Sequence, residues 1–294
     1  MIDIPIAIGG LLVGTIVGLT GVGGGALMTP MLVLIFGIEP LAAVSSDVVA
    51  SLIMKPIGGG VHLRRGTVNM QLVKWLMLGS LPCAFLGVLL LKSFGGPQIQ
   101  STIKLGLGIA LVLASAGILL RPLIVRKHRD APQGEPTPIR PLPTVIVGIV
   151  GGLIVGMTSV GSGSLMIVML LMLYPRLKLS DLVGTDLVQA IPLVASAALA
   201  HFLFGDFRLA LTGSILLGAI PGVYIGARMS SRAPDHVLRP ILLVALTASA
   251  TRLLGANNQI MLIAAVFALG AVLLMDWKTR RRLPAVAVVT PPTT

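Results

Sequence analysis

Apolar runs near or above the ~20 residues that a helix needs to cross a ~30 Å hydrocarbon layer recur along the whole chain. Polar interruptions separate them into Ile4–Phe36, Leu41–Val61, Leu72–Leu91, Ile103–Leu120, Leu142–Leu173, Leu182–Leu203, Leu209–Ala227, Val237–Leu254 and Ile260–Trp277. With 55% apolar and only 11% charged residues, the chain lacks the polar shell that a soluble domain of 294 residues requires. The apolar pattern never stops and the start carries no basic n-region, so a cleaved signal peptide is not expected. The expected fold class is all-α: a polytopic bundle in a lipid bilayer.

The net charge of +12 does not imply a nucleic-acid partner, because aromatics are only 4% and the basic residues sit between apolar runs rather than in one patch. Positive charge beside spans is instead a topology signal. Cys83 is the single cysteine, which excludes an internal disulfide and a thiolate cluster; it reads as a small packing residue. No metal-ligand spacing, nucleophile elbow or cofactor fingerprint is present, so no cofactor and no enzymatic activity are expected.

The chain repeats itself. Gly10, Gly14, Gly18, Thr20, Val22, Gly23, Gly25 and Leu27 recur 138 residues later as Gly148, Gly152, Gly156, Thr158, Val160, Gly161, Gly163 and Leu165. After a gain of one residue, Asp47, His62, Gly66, Gly79, Pro82 and Gly87 recur as Asp186, His201, Gly205, Gly218, Pro221 and Gly226. Shared Asp, His and Pro rule out a coincidence of apolar bias and point to duplication. The sequence thus divides into a first repeat (1–120), a basic Pro-rich linker (121–141), a second repeat (142–256), an extra span (257–279) and a basic tail (280–294).

Charge then orients the copies. Both the linker and the cluster Lys278, Arg280, Arg281, Arg282 should be cytoplasmic, yet five apolar segments lie between them, so one must fail to cross. Leu142–Leu173 is the candidate: as one helix it would be about 48 Å long, and Gly161-Ser162-Gly163-Ser164 breaks it near its middle. Folded back as a re-entrant hairpin, and with Ile4–Phe36 treated alike, it puts seventeen of the 22 Lys and Arg on the cytoplasmic side. Each copy then has one broken hairpin and three crossings, an odd number, so the copies are inverted. Inverted repeats with broken helices are a transporter architecture.

The two breaks carry the candidate chemistry. Glycine permits positive φ and close approach, and a half-helix starting after each break aims amide N–H groups and a positive dipole end at it, which suits an anion. Gly23, Gly24 and Gly25 in the first copy, and Gly161 and Gly163 in the second, are the candidate backbone donors. Thr20, Thr158, Ser159, Ser162 and Ser164 add hydroxyls. GVGGG fits neither nucleotide-binding loop, since no strand precedes it and no Lys-Ser/Thr follows. Lys55 is placed either to neutralise an anion or to snorkel to an interface, and Gln189 is a polar contact in the other copy. Asp47 and Asp186 either take protons during coupled transport or cap their helices. Asp47 and Lys55, eight residues apart, lie about 12 Å apart along a helix axis and are too distant to pair directly. Gly10, Gly14 and Gly18 read as a helix-packing face, and His62 and His201 as boundary residues.

T-G-V-G-G-G-A-L-M-T-P in the first half, and T-S-V-G-S-G-S-L-M with V-G-T-D in the second, resemble the sulfite exporter TauE/SafE family of membrane permeases. Pro40-Leu41-Ala42-Ala43, Ser46-Asp47 and the Gly79–Gly87 and Gly218–Gly226 stretches look similar too, so the resemblance runs from Ile4 to about Trp277. It implies transport of a small sulfur-containing oxyanion such as sulfite or an organosulfonate, across the plasma membrane of a bacterium or archaeon. Ser162 stands where the first copy has Gly24, so the two loops need not bind alike. The reading is a secondary transporter whose partners are a small anionic substrate and the lipid bilayer. A homo-oligomer is left open. The alternatives are a passive anion channel on the same scaffold and a membrane anchor for a partner enzyme.

Overall fold

The computed structural model describes residues 2–20, 23–64, 66–93, 98–129, 138–229 and 235–281. Those residues form eleven helices: α1 (Ile4–Thr20), α2 (Gly25–Leu34), α3 (Pro40–Arg64), α4 (Met70–Ser93), α5 (Gln98–Arg129), α6 (Pro141–Thr158), α7 (Leu165–Leu173), α8 (Leu179–Phe204), α9 (Leu209–Met229), α10 (Asp235–Leu253) and α11 (Asn258–Arg281). The fold is all-α, as in lipid it must be unless a barrel closes. Six helices contain stretches long and apolar enough to cross a membrane: Pro40–Ile57, Met70–Ser93, Gln98–Leu120, Pro141–Thr158, Ser180–Phe204 and Leu209–Met229. Ile4–Thr20, Gly25–Leu34 and Asn258–Leu274 are shorter apolar helices. Helix α5 continues through the basic stretch as far as Arg129.

Both long apolar segments of the sequence break where the glycines fall. Helix α6 opens on Pro141, which forfeits no helical hydrogen bond in the first turn. It closes at Ser159 in the left-handed region (φ 61°), whose N–H donates to the Val155 carbonyl. The chain then returns on itself. Gly151 lies against Met166, and Tyr174 at the end of α7 meets Thr144 and accepts the Arg140 N–H at 2.9 Å, at the start of α6. In the first copy Gly9 on α1 lies against Met31 and Phe36 at the end of α2. Each segment is therefore an antiparallel hairpin.

The hairpins dock across the copies. Helix α1 runs parallel to α9: a Cβ at Gly218, Gly222 or Gly226 would fall within 2.4 Å of the Ala7, Leu11 or Thr15 carbonyl oxygen. Helix α6 runs parallel to α4 in the same way, with Gly148, Gly152 and Gly156 on Leu76, Ser80 and Ala84. These are main chains in contact, the use the sequence suggested for the glycine faces. Helices α3 and α8 cross antiparallel. The start of α3 meets the end of α8, where Ser45 bonds His201 and accepts the Asp206 N–H; beyond the end of α3, the Asn69 N–H donates to Thr185 near the start of α8. Helix α10 runs antiparallel to α5, with Leu254 on Gly108 and Arg239 donating to the Ile118 carbonyl. Helix α11 packs chiefly on α10 and turns Ile263, Val266 and Phe267 outward.

Two apolar clusters flank the breaks. One gathers Leu72, Leu76, Leu107, Leu111, Leu170 and Leu246; the other gathers Met28, Leu32, Ile215 and Ala219.

Candidate functional site

The two breaks meet. A Cβ on Gly25 would come within 1.9 Å of the Ser159 carbonyl oxygen, and one on Gly23 within 2.5 Å of the Ser162 carbonyl oxygen. Gly24 faces the other way, toward Met54 and Ser51 of α3, with room at ordinary contact distance. The second loop needs its unusual residues, since Gly161 (φ 128°) and Gly163 (φ 91°) lie where side chains are rarely accommodated. The Gly161 carbonyl accepts the Leu165 and Met166 N–H groups, so Gly161 closes the turn that starts α7.

Charge gathers along this loop. Lys55 sends its Nζ to the Ser162 hydroxyl and so neither snorkels nor pairs directly with Asp47. It interacts electrostatically with both Asp186 and Asp47. Asp186 Oδ2 accepts the Gly163 N–H at 2.7 Å. Asp47 Oδ2 accepts the Thr29 hydroxyl at 2.7 Å, and Ser159 lies beside it. The second loop thus passes Asp47 at Ser159, Lys55 at Ser162 and Asp186 at Gly163. Both aspartates sit seven residues inside their helices, fully buried, which removes the capping alternative.

The remaining candidates are placed less centrally. The Thr20 and Thr158 hydroxyls donate back to the Ile16 and Ile154 carbonyls of their own helices, at 2.7 and 2.6 Å. Gln189 is buried and donates to the Ser80 hydroxyl of α4, and its Oε1 has no hydrogen-bond partner among the described residues. Ser164 Oγ is buried and likewise has no hydrogen-bond partner among the described residues, nor do Asp47 Oδ1 and Asp186 Oδ1. Such atoms are costly to leave bare in a packed interior, and in a native structure each calls for a water, a proton or a ligand.

Four residues here were not singled out from the sequence. Thr29 holds Asp47, Ser51 faces Gly24, and Ser45 holds His201. Ser80 holds Gln189. Thr29 carried a signal, as the hydroxyl residue of the M-T-P that follows the first break. His201 departs from the boundary role expected of it. It is fully buried, and its Nε2 meets the Gly156 carbonyl at 2.8 Å while its Nδ1 meets Ser45 at 3.0 Å. With Nε2 protonated, both ring nitrogens are satisfied in the neutral form, which pins α8 to α3 and α6. The His62 side chain lies outside the described set.

Both ends of the α3–α8 crossing are closed, by different means. At one end Arg208 bonds Glu39 at 3.0 Å and Asp206 at 2.7 Å, tying the loop before α3 to the loop after α8. The Asp206 hydrogen bond holds the Arg208 guanidinium above its ordinary pKa. At the other end the ties include the Asn69–Thr185 hydrogen bond and the close approach of Gly184 to the Thr67 carbonyl.

The profile of the family described as "Sulfite exporter TauE/SafE" matches residues 6–253. A Bacillus subtilis protein described as "Probable membrane transporter protein YjnA" is 39% identical over 255 residues, covering 86% of this chain and the whole of that protein. "Probable membrane transporter protein YdhB" of the same organism is 27% identical over 232 residues, 78% of this chain and 90% of its own length. No solved structure matches the chain.

Proposed function

Because the chain belongs to the sulfite exporter TauE/SafE family of membrane transporters, we propose that it is a secondary transporter moving a small sulfur oxyanion, sulfite or an organosulfonate, by alternating access across the plasma membrane. The observation that carries the reading is the meeting of the two glycine breaks, with the Lys55 ammonium held on Ser162 between them. A polar loop of this kind survives within a bilayer only where protein buries it or a polar cavity adjoins it.

In this reading the copies are inverted repeats. The antiparallel crossings of α3 on α8 and of α5 on α10, and the fold-back of each hairpin, are what such a relation requires. Each copy contributes three crossings and one hairpin, α11 adds a seventh crossing, and the basic linker and tail face the cytoplasm. The substrate sits at the breaks. Lys55 supplies the charge, while Ser159, Ser162 and Ser164 supply hydroxyls. Gly23, Gly24, Gly25, Gly161 and Gly163 supply backbone, and Gln189 a polar wall. Thr20 and Thr158 shape the helix ends beside it, and Asp47 and Asp186 are the two candidates for proton coupling. Rocking one bundle on the other would open the Arg208–Glu39 end and the Thr185–Asn69 end in turn.

The test is saturable flux of labelled sulfite or methanesulfonate in proteoliposomes. Lys55→Ala removes the ammonium held on Ser162 and should lower flux about tenfold or more. Ser162→Ala and Gly24→Leu, the second by filling the space before Met54 and Ser51, should lower it as well. Unchanged flux in all three variants would falsify the site.

A further inference from the structure

The site is not vacant of anionic chemistry: one of its own carboxylates is in it. The Gly163 N–H, an amide that the transport reading gives to the substrate, donates to Asp186 Oδ2 at 2.7 Å. The neighbouring residue, Ser162, holds the Lys55 ammonium, and Lys55 interacts electrostatically with Asp186. A carboxylate on a loop amide beside an ammonium is the arrangement a bound oxyanion would adopt. Asp186 is fully buried, and its Oδ1 has no hydrogen-bond partner among the described residues.

Asp47, its counterpart in the repeat, is bonded differently. Its Oδ2 takes the hydroxyl of Thr29 on α2 rather than an amide of a break. The duplicated aspartates are equivalent in sequence and unequal in the site.

We propose that Asp186 is the internal occupant of the anion site, and that substrate replaces it at Gly163 only when Asp186 carries a proton. Each anion therefore binds together with one proton. This rests on the transport reading and adds its coupling. A proton from the aqueous phase adds to the Asp186 carboxylate, and the neutral carboxyl turns away from the Gly163 N–H. The freed amide, with Lys55, then receives the substrate oxyanion. When the anion leaves, the proton leaves Asp186 and the carboxylate returns. Only an O–H bond forms and breaks.

The surroundings favour this exchange. One ammonium and one amide cannot hold two full negative charges in a dry site, so one of the two must be neutralised. From α3, Asp186 faces Lys55, which interacts with Asp47 as well. Helices α6 and α7 carry no ionisable side chain but Tyr174 at the far end, which is committed to Arg140 and Thr144. On α4, Lys92 stacks on Phe204 and Lys74 is exposed. On α8 itself, Asp181 is held by Ser180 and His201 by Ser45 and Gly156.

The experiment uses the purified full chain and labelled methanesulfonate, whose charge is constant near neutrality, whereas sulfite itself takes up a proton there. In weak buffer with a pH-indicator dye, binding to wild type should consume one proton per sulfonate. Affinity should fall about tenfold per pH unit on the alkaline side, because the competent form is the protonated one. Asp186→Asn, a permanent neutral mimic, should bind with no proton uptake and no such slope. Asp47→Asn, whatever its affinity, should still take up the proton. Sulfonate binding to wild type without proton uptake overturns the proposal and leaves the transport reading standing. So does uptake that persists in Asp186→Asn or disappears in Asp47→Asn. Failure of wild type to bind either methanesulfonate or sulfite overturns both. If Asp186→Asn does not purify as a single species, the dye measurements on wild type and Asp47→Asn decide together: uptake kept in both supports the proposal, and uptake lost in either overturns it.

Discussion

Gly24 and Gly25 are neighbours with opposite demands. At Gly25 a methyl group would collide with the Ser159 carbonyl, a main-chain atom that cannot step aside, whereas at Gly24 it would meet Met54 and Ser51 at 3.7 and 3.8 Å. Gly25→Ala should therefore cost at least the 1–3 kcal/mol or so of an overpacked interior and lower the thermal midpoint of the purified protein, while Gly24→Ala should leave it in place. Equal midpoints would show that the breaks do not touch. The sequence made the glycine clusters legible as sites of close approach. It could not say which of the three glycines faced the partner loop, because that depends on how two hairpins from distant segments are rotated. The same limit hid Thr29 and Ser51, whose partners lie on other helices. His201 misled for a related reason. A histidine before Gly205-Asp206 reads as the wet end of a span, until Ser45 and the Gly156 carbonyl are seen to satisfy it in the interior.

Among the helices, the glycine faces decide who packs on whom. Helix α9 carries its glycines in two environments: Gly222 would place a Cβ 2.4 Å from the Leu11 carbonyl oxygen, and Gly213 would meet none of the described residues within 4 Å. Gly222→Leu should thus separate α1 from α9 and abolish a monodisperse preparation, whereas Gly213→Leu on the same helix should purify as wild type does. Size-exclusion chromatography checks both, and tolerance of Gly222→Leu would contradict the pairing. The sequence reads Gly10, Gly14 and Gly18 on α1 as a packing face, and the repeat carries the same spacing to Gly148, Gly152 and Gly156 on α6. It did not show that each one docks on the fourth helix of the other copy rather than within its own. Glycine stripes are alike, and a backbone-to-backbone fit is chosen by geometry that composition does not encode. Charge and proline after Leu120 suggest a linker, yet α5 runs on to Arg129, because arginine and lysine are themselves good helix formers.

At the scale of the molecule, the two breaks were readable because their glycine clusters recur, with Asp, His and Pro, in both halves of the sequence. Their interlocking was not. The topology proposed for them is open to direct test in a chain whose single cysteine, Cys83, has been replaced by serine. Cysteines at Ile2 and Ile35, at the two ends of the first hairpin, should both react with an impermeant thiol reagent added outside cells. Cysteines at Arg140 and Lys178, flanking the second hairpin, should react only after the membrane is opened. Labelling of one member of either pair from the opposite side would mean that the hairpin crosses. The central claim, that one site at the meeting breaks is exposed to each side in turn, is tested most directly by counterflow in proteoliposomes. Unlabelled sulfite or methanesulfonate inside should accelerate entry of the labelled anion from outside, and Ser162→Ala should weaken that acceleration. Entry that is indifferent to anion on the far side would be the behaviour of an open pore and would contradict the account.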